Sequence, residues 1–152
     1  MTFEELTYSG DVCNNYLYYT FYGDFFDTNI ITNELGITPT SFHSKKDPVP
    51  KLTSWKYTIA IGDNLDLETP LERLIDIFEP KVTSNILLKD KLKLSTRLQF
   101  VIYIDIDPKA STPYFGLSNR TIHFLSKTDT HVDFDLFKAD TIGLLDGHNL
   151  GA

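Results

Sequence analysis

Residues 25–55 read FFDTNIITNELGITPTSFHSKKDPVPKLTSW, and the first half of this stretch predicts a short helix. Asp27 is placed to cap the helix by accepting a backbone N–H bond, and Phe26 is spaced to reach Ile31 as a hydrophobic staple. Gly36 follows at the position where a helix commonly ends in the left-handed conformation. Both ends of the helix are therefore specified by neighbouring residues.

The second half of the stretch predicts extended structure. Thr38-Pro39 favours extended backbone, because the residue before proline is kept out of helical angles, and this predicts a strand or sheet edge at 40–44. A basic loop bounded by prolines follows at 45–50. Trp55 is the only tryptophan, and it opens an alternation of apolar and polar residues that is typical of a half-buried strand.

These residues resemble the bacterial domain of unknown function 4279 family. The resemblance rests on Leu35-Gly36-Ile37-Thr38-Pro39-Thr40 followed by Ser54-Trp55, and it extends from about Tyr8 to Leu136. The loop Lys45-Lys46-Asp47 departs from that family, whose loop usually carries a glycine. The resemblance implies an α+β fold, an unassigned activity and no catalytic residues to transfer.

Two further helix starts are predicted from capping residues. Thr69-Pro70-Leu71-Glu72 has the pattern of a capping box, with Thr69 as the cap and proline at the first helical position. Pro80 then ends or kinks this helix at the preceding residue. Leu117-Ser118 repeats the combination of a staple residue and a capping residue.

The complete pattern predicts an α+β domain with a mixed, mostly antiparallel sheet and helices packed on one face. The order is β α β β α β β α β, in which the middle helical region consists of two segments, and the strand–helix–strand units at the two ends suggest two ferredoxin-like halves. Strands are expected at 15–22, 40–44, 55–61, 94–107, 114–116 and 132–136, and helices at 27–35, 69–79, 83–92 and 118–127.

Length and composition favour one globular domain. The chain has 152 residues, and we assign 1–140 to the domain and 141–152 to a flexible, glycine-rich C-terminal tail. No apolar run approaches the roughly 20 residues that a membrane helix requires. The first ten residues are acidic and lack the apolar core of a signal peptide, so we expect a cytoplasmic protein.

Charge and cysteine content exclude several kinds of partner and site. Asp and Glu outnumber Lys and Arg by 21 to 14, and the net charge of −7 disfavours nucleic-acid binding. Cys13 is the only cysteine, which excludes an intramolecular disulfide and a cysteine-based zinc site. Asp11 is nearby and no basic residue is, so a reactive thiolate is not expected.

Alternating carboxylates offer one candidate for metal binding. If the last two long strands are neighbours, their side chains could converge on a cation: Asp105, Asp107, Asp133 and Asp135, with His131. Alternating aspartates on an exposed sheet face are more often simply solvated. We therefore predict no metal site, and the sequence leaves cation binding by this group open.

The basic loop offers the candidate contact site. His43, Lys45, Lys46 and Asp47 lie before Trp55, and this set could bind an anion or a planar ligand through charge and stacking. The alternative is a polar surface connection. We assign these five residues as the predicted ligand or partner contact, because loops held by a rigid scaffold often carry function.

Nothing in the sequence predicts catalysis or a cofactor. His123 and His131 each lie near an aspartate, but no nucleophile is fixed against either, and there is no nucleophile elbow, phosphate-binding glycine loop or zinc-protease motif. We therefore expect no catalytic residue and no bound cofactor.

Three functions remain open. The first is a non-enzymatic protein-interaction domain using a sheet edge or aromatic surface, such as an immunity protein whose acidic charge attracts a basic toxin. The second is a small-ligand-binding or enzymatic module using the region from His43 to Trp55. The third is a homodimer formed by strand addition at an exposed sheet edge.

Overall fold

A computed structural model describes residues 7–8, 10 and 12–145, and these contain six strands, four α-helices and one 3₁₀ turn. The strands are β1 Thr7–Tyr8, β2 Asn15–Gly23, β3 Ser41–His43, β4 Thr53–Gly62, β5 Ser95–Asp105 and β6 Thr130–Ala139. The helices are α1 Thr28–Leu35, α2 Glu68–Phe78, α3 Val82–Leu92 and α4 Asn119–Lys127, with the 3₁₀ turn at Glu79–Lys81.

The six strands form one mixed sheet in the order β1-β6-β5-β2-β4-β3. β2 lies at its centre and pairs antiparallel with both β4 and β5, while β3 pairs antiparallel with β4. β6 pairs parallel with β5 and with β1. The predicted α+β class with a mixed, mostly antiparallel sheet is confirmed.

The strand–helix–strand units at the two ends have different topologies. In the first, β4 lies between β2 and β3, whereas in the second β5 and β6 are direct neighbours. The element order also differs from the expected one in two places. Thr7–Tyr8 adds an edge strand in a segment expected to be irregular, and the expected strand at 114–116 is reduced to one bridge between Tyr114 and Asp66.

The capping predictions for α1 and α4 are confirmed. The side chain of Asp27 accepts a hydrogen bond from the backbone of Asn29 at 2.9 Å, and Gly36 ends α1 with φ of 66°. Ser118 caps α4 by accepting from the backbone N–H of Thr121. Short-range side-chain chemistry sets both helix starts.

The predicted capping box of α2 is wrong. The helix begins at Glu68, and Asp66 supplies the capping carboxylate by accepting from the backbone N–H groups of Glu68 and Thr69. The Thr69 hydroxyl donates to the same carboxylate at 2.7 Å. Pro80 lies in the 3₁₀ turn that follows α2, as its ring requires.

All four helices pack on one face of the sheet, as predicted. The ring of Tyr19 on β2 lies 4.7 Å from Phe78 of α2 and 5.7 Å from Phe124 of α4, and its hydroxyl accepts from Asn85 of α3. α1 reaches the same face through Trp55, which bonds Thr32. These rings and the aliphatic side chains between them form the core.

Within the described residues, no helix packs on the opposite side of the sheet, and we call that side the helix-free face. Side chains of a strand alternate between the two faces, so the neighbours of the buried Leu17, Tyr19 and Phe21 belong to it. Its members on the long strands include Tyr16, Tyr18, Thr20, Tyr22, Lys56, Arg97, Gln99, Tyr103, His131, Asp133, Asp135 and Phe137.

The segment assigned to the C-terminal tail begins with hydrogen-bonded residues. The buried carboxylate of Asp140 accepts from the backbone N–H groups of Leu144 and Leu145, each at 2.7 Å. The hydroxyl of Thr141 donates to Asp105. The remainder of the predicted tail, 146–152, lies outside the described residues.

Candidate functional site

The predicted contact residues His43, Lys45, Lys46 and Asp47 lie together at one outer edge of the sheet. His43 is the last residue of β3, and the loop after it carries the other three. All four side chains are exposed. The structure therefore brings four of the five predicted residues into one accessible surface.

Exposed apolar side chains accompany these polar residues. Phe25 is 75% exposed, Phe42 59%, Val49 67% and Leu52 47%. Phe25 lines a groove of about 520 Å³ with Lys45, Lys46, Asp47, Pro48 and Lys51. Phe42 lines a second groove of about 280 Å³ with His43, Ser44, Lys46 and Pro50. We call the lining residues of the two grooves, with Val49 and Leu52, the edge surface.

Trp55 does not belong to the edge surface, and the prediction that it is a contact residue is wrong. The indole is 0% exposed, and its Nε1 donates to the Thr32 hydroxyl at 3.0 Å. Phe21 and Phe78 pack edge-on against the ring at 5.6 and 6.2 Å. The alternation that begins at Trp55 points the indole into the core, so no ring face is left for a ligand.

The edge surface is locally basic within an acidic chain. Lys45 forms an ion pair with Asp24, and the hydrogen bond to Lys45, followed by its charge, lowers the pKa of that carboxyl. Within the described residues, Lys46 and Lys51 form no ion pair. The unpaired lysines give this surface a positive charge that the net charge of −7 conceals.

The carboxylates considered for metal binding do not converge. β5 and β6 are neighbours, but Asp135 lies opposite Val101 while Asp105 lies opposite Ala139, four residues farther along. That offset separates the two carboxylates by about 13 Å along the strands. Within the described residues, no group of three or more His, Cys, Asp or Glu side chains is arranged to hold a metal ion.

The two histidines considered for acid–base chemistry are both exposed and lie on different elements. His123 is on α4 and His131 is on β6, where it faces Arg97 across the parallel pair. Neither imidazole makes a hydrogen bond within the part of the chain that the structure describes. Their placement offers no general base held against a nucleophile.

A cavity at the end of the sheet was not predicted from the sequence. It has a volume of about 650 Å³, and its lining includes Cys13, Asp63, Asp105, Ser111 and Thr141. Burial, followed by the charges of Asp105 and Asp63, raises the pKa of the Cys13 thiol. A raised pKa leaves less of the thiol ionised, which agrees with the expectation that Cys13 is not a reactive thiolate. Four separate segments build the cavity, so no local motif marks it.

Comparison with known proteins identifies the family. Residues 13–138 match the domain of unknown function (DUF4279) family, and because the match covers most of the chain, the protein belongs to that family. No curated protein and no solved structure matches the chain. Within the described residues, no helix combines the length and apolar character needed to cross a bilayer.

Proposed function

We propose that this DUF4279 domain is a non-enzymatic protein-binding domain that contacts its partner through the edge surface. The observation that supports this function is the cluster of exposed Phe25, Phe42, Val49 and Leu52 beside the short edge strand β3. Clustered apolar side chains rimmed by polar residues are typical of protein-interaction sites on soluble domains.

The two phenylalanines are the proposed anchors of the contact. Phe25 and Phe42 line separate grooves that share Lys46, so a partner side chain seated in either groove would contact a ring and a lysine stem. Burial of a large apolar side chain contributes about 1.5–3 kcal/mol. A few such anchors supply most of the affinity of a typical interface, while the charged rim contributes less.

The partner in this proposal carries a net positive charge, as a basic toxin opposed by an immunity protein would. The net charge of −7 favours long-range attraction of such a partner. Electrostatic attraction acts mainly on the association rate, whereas apolar contact sets the lifetime of the complex. Like charges in contact oppose binding, so the lysines of the locally basic edge surface would face a neutral or acidic patch of this partner, and the apolar side chains would supply the affinity.

The proposal extends to location and to other kinds of partner. A lone cysteine and an acidic composition fit the reducing bacterial cytoplasm, where structural disulfides are rare. The same acidic composition favours a protein partner over a nucleic acid.

Binding of a small ligand, or an enzymatic activity, in the region from His43 to Trp55 is the second candidate. The groove beside Phe25 supports it, because Lys45, Lys46 and Lys51 line that groove and could attract an anion. The enclosed indole of Trp55 removes the stacking contact on which this alternative partly depended. Protein binding accounts for more of the exposed apolar surface.

Affinity capture with matched variants tests the protein-binding function. The full chain is immobilised as wild type, Phe42→Asp, Phe25→Asp and Leu87→Asp, and each is exposed to lysate of its source cell. Leu87 is 63% exposed on α3, so its variant controls for adding a carboxylate at an exposed apolar position. We expect one protein to be recovered by the wild type and by the Leu87 variant, with recovery lost in both phenylalanine variants.

Experiments with the captured protein then test the predicted charge of the partner and the location of the contact. With the purified partner, the association rate should fall as salt increases while the dissociation rate stays nearly constant. Equal recovery by all four chains would contradict the edge surface as the contact. Recovery only of the domain itself, with sedimentation at twice the monomer mass, would instead support a homodimer formed at β3.

A further inference from the structure

Strand pairing places two basic residues on either side of Thr20 on the helix-free face. Thr20 of β2 lies opposite Lys56 of β4 and opposite Arg97 of β5. Neighbouring strands are about 4.8 Å apart, so the backbones of Lys56 and Arg97 are roughly 10 Å apart. Thr20 is only 1% exposed and forms the floor between them.

Two tyrosine rings complete the walls around this floor. Tyr18 and Tyr22 precede and follow Thr20 by two residues and share its face of the sheet. The Lys56 Nζ lies 4.6 Å from the centre of the Tyr18 ring, and the Arg97 Cζ lies 5.2 Å from the centre of the Tyr22 ring. These cation–π contacts hold each cation beside its ring.

The positive charges of Lys56 and Arg97 are not neutralised by an ion pair. Neither residue pairs with a carboxylate anywhere in the described ranges. Burial, followed by the charge of Arg97, lowers the pKa of Lys56. Each cation therefore raises the electrostatic free energy of the other, and an anion placed between them would relieve that repulsion.

Buried donors without acceptors lie at the same place. Gln99 follows Arg97 by two residues on this face; it is 2% exposed, and among the described residues its Nε2 has no hydrogen-bond partner. The Arg97 Nε is also enclosed and has no partner in that part of the chain. Amide nitrogens and guanidinium groups only donate, and buried donors in proteins are nearly always paired.

The nearest carboxylate by register is on the adjacent strand. Asp133 of β6 lies opposite Gln99, one position along from the pairing of Arg97 with His131. One oxygen of Asp133 accepts from the backbone N–H of Phe134 at 3.0 Å. The Lys56 side of Thr20 is therefore remote from this carboxylate, because β2 and β5 lie between β4 and β6.

We propose that Lys56, Arg97 and Gln99 form a binding site for a doubly charged tetrahedral oxyanion, such as a phosphate group. Arg97 supplies a planar fork of donors, Lys56 a compact charge and Gln99 a neutral donor, and together they match an anion with several acceptor oxygens. Tyr18 and Tyr22 leave an aromatic surface for the rest of a phosphate-bearing molecule. This site is independent of the edge surface, so either proposal can fail without the other.

Titration of the full chain with inorganic phosphate, followed by backbone amide NMR at constant ionic strength, tests the site. We expect saturable shifts centred on Thr20, Lys56, Arg97 and Gln99, with acetate at equal concentration producing smaller, non-saturating shifts. Lys56→Gln should weaken phosphate binding about tenfold, the scale expected for loss of one charge-assisted hydrogen bond. Lys56→Arg should retain most of the affinity.

The matched control is Lys91→Gln, which makes the same charge change at an exposed position on α3, away from both proposed surfaces. Its amide spectrum should show phosphate binding at the wild-type affinity. Shifts spread over all exposed lysines, equal binding by Lys56→Gln and wild type, or saturation by acetate as strong as that by phosphate would each overturn the proposal. Spectral dispersion of every variant confirms that it is folded before its affinity is compared.

Discussion

Asn85 on α3 donates a hydrogen bond through Nδ2 to the hydroxyl oxygen of Tyr19 on β2 at 2.9 Å, and both side chains are fully buried. The Tyr19 hydroxyl also bonds the hydroxyl of Thr130 at 2.9 Å. Thr130 in turn bonds the hydroxyls of Thr96 and Thr128. This chain of polar groups joins α3, the sheet and the end of α4 inside the core.

Replacing Tyr19 by phenylalanine should lower the free energy of unfolding by about 1–3 kcal/mol, because the buried Asn85 amide loses its acceptor. Urea denaturation measures the change. The control is Tyr57→Phe, since the Tyr57 hydroxyl makes no hydrogen bond within the described residues, and that variant should stay close to wild type.

A double variant separates loss of the hydrogen bond from loss of packing. Tyr19→Phe combined with Asn85→Leu removes both partners, so the stranded polar group disappears and stability should recover in part. If the losses in unfolding free energy from Tyr19→Phe and Asn85→Leu simply added in the double variant, the two residues would not be coupled.

Gly36 should resist substitution because of its backbone conformation alone. Its φ is 66°, and a Cβ built there would meet no heavy atom within 4 Å, so crowding adds nothing. Gly36→Ala should lower the free energy of unfolding by about 1–2 kcal/mol, because an L-residue is strained in the left-handed conformation. The measurement is the thermal midpoint, which should fall. Gly116→Ala serves as the control: its φ lies outside that region and its new contact with Tyr114 would be ordinary, so its midpoint should hardly move.

Asp66, rather than Thr69 with Glu72, should set the stability of α2 at its start. Asp66→Ala should lower the thermal midpoint at neutral pH, because two backbone N–H groups and one hydroxyl lose their acceptor. Glu72→Gln should leave the midpoint unchanged. If Glu72→Gln lowered the thermal midpoint more than Asp66→Ala did, the result would support the capping box predicted from the sequence.

The stability that Asp66 contributes to the fold should decrease at acidic pH. The hydrogen bond from the Thr69 hydroxyl is the main cause that lowers the pKa of Asp66 in the folded protein. A carboxyl with a lowered pKa stabilises the fold above its unfolded pKa, and this contribution is lost as the pH falls through the folded value. The difference in thermal midpoint between wild type and Asp66→Ala should therefore become smaller when the pH falls below about 3.9, the usual aspartate pKa.

Cys13 should titrate above an ordinary thiol, since burial, then Asp105, then Asp63 raise its pKa. Its rate of reaction with a thiol reagent should reach half its maximum at a higher pH than in a cysteine peptide. Asp63→Asn should move that midpoint down, while Asp24→Asn, at an exposed carboxylate beside Lys45, should not. Because the folded pKa is raised, any linked stability is present below the unfolded pKa and lost as the pH rises through the folded one.

Features decided by a few adjacent residues could be predicted from the sequence. The caps of α1 and α4 and the alternation of β2, β4 and β5 depend on side chains within one turn or one strand. The start of α2 shows where this fails. Leu67 is 1% exposed and its backbone N–H bonds the carbonyl of Tyr114, so a contact from a distant loop fixes the helix start next to Asp66.

Features that depend on strand register could not be predicted. Lys56 and Arg97 lie on two strands far apart in the sequence, and only their shared neighbour Thr20 brings them together. Trp55 was predicted to open a half-buried strand and also to belong to a contact site, and only the packing of Phe21 and Phe78 around it excludes the second prediction. Likewise, the offset between Asp105 and Asp135 follows from the pairing of β5 with β6.

The central position of β2 has a consequence for biosynthesis. This strand leaves the ribosome before either of its neighbours, and its full pairing with β4 becomes possible once residue 62 has also left the ribosome. Its other edge stays open until Ser95–Asp105 has followed, because no nearer segment supplies that partner. The nascent chain therefore carries an unprotected edge of a tyrosine-rich strand until β5 has been made, and pairing with β5 closes that edge.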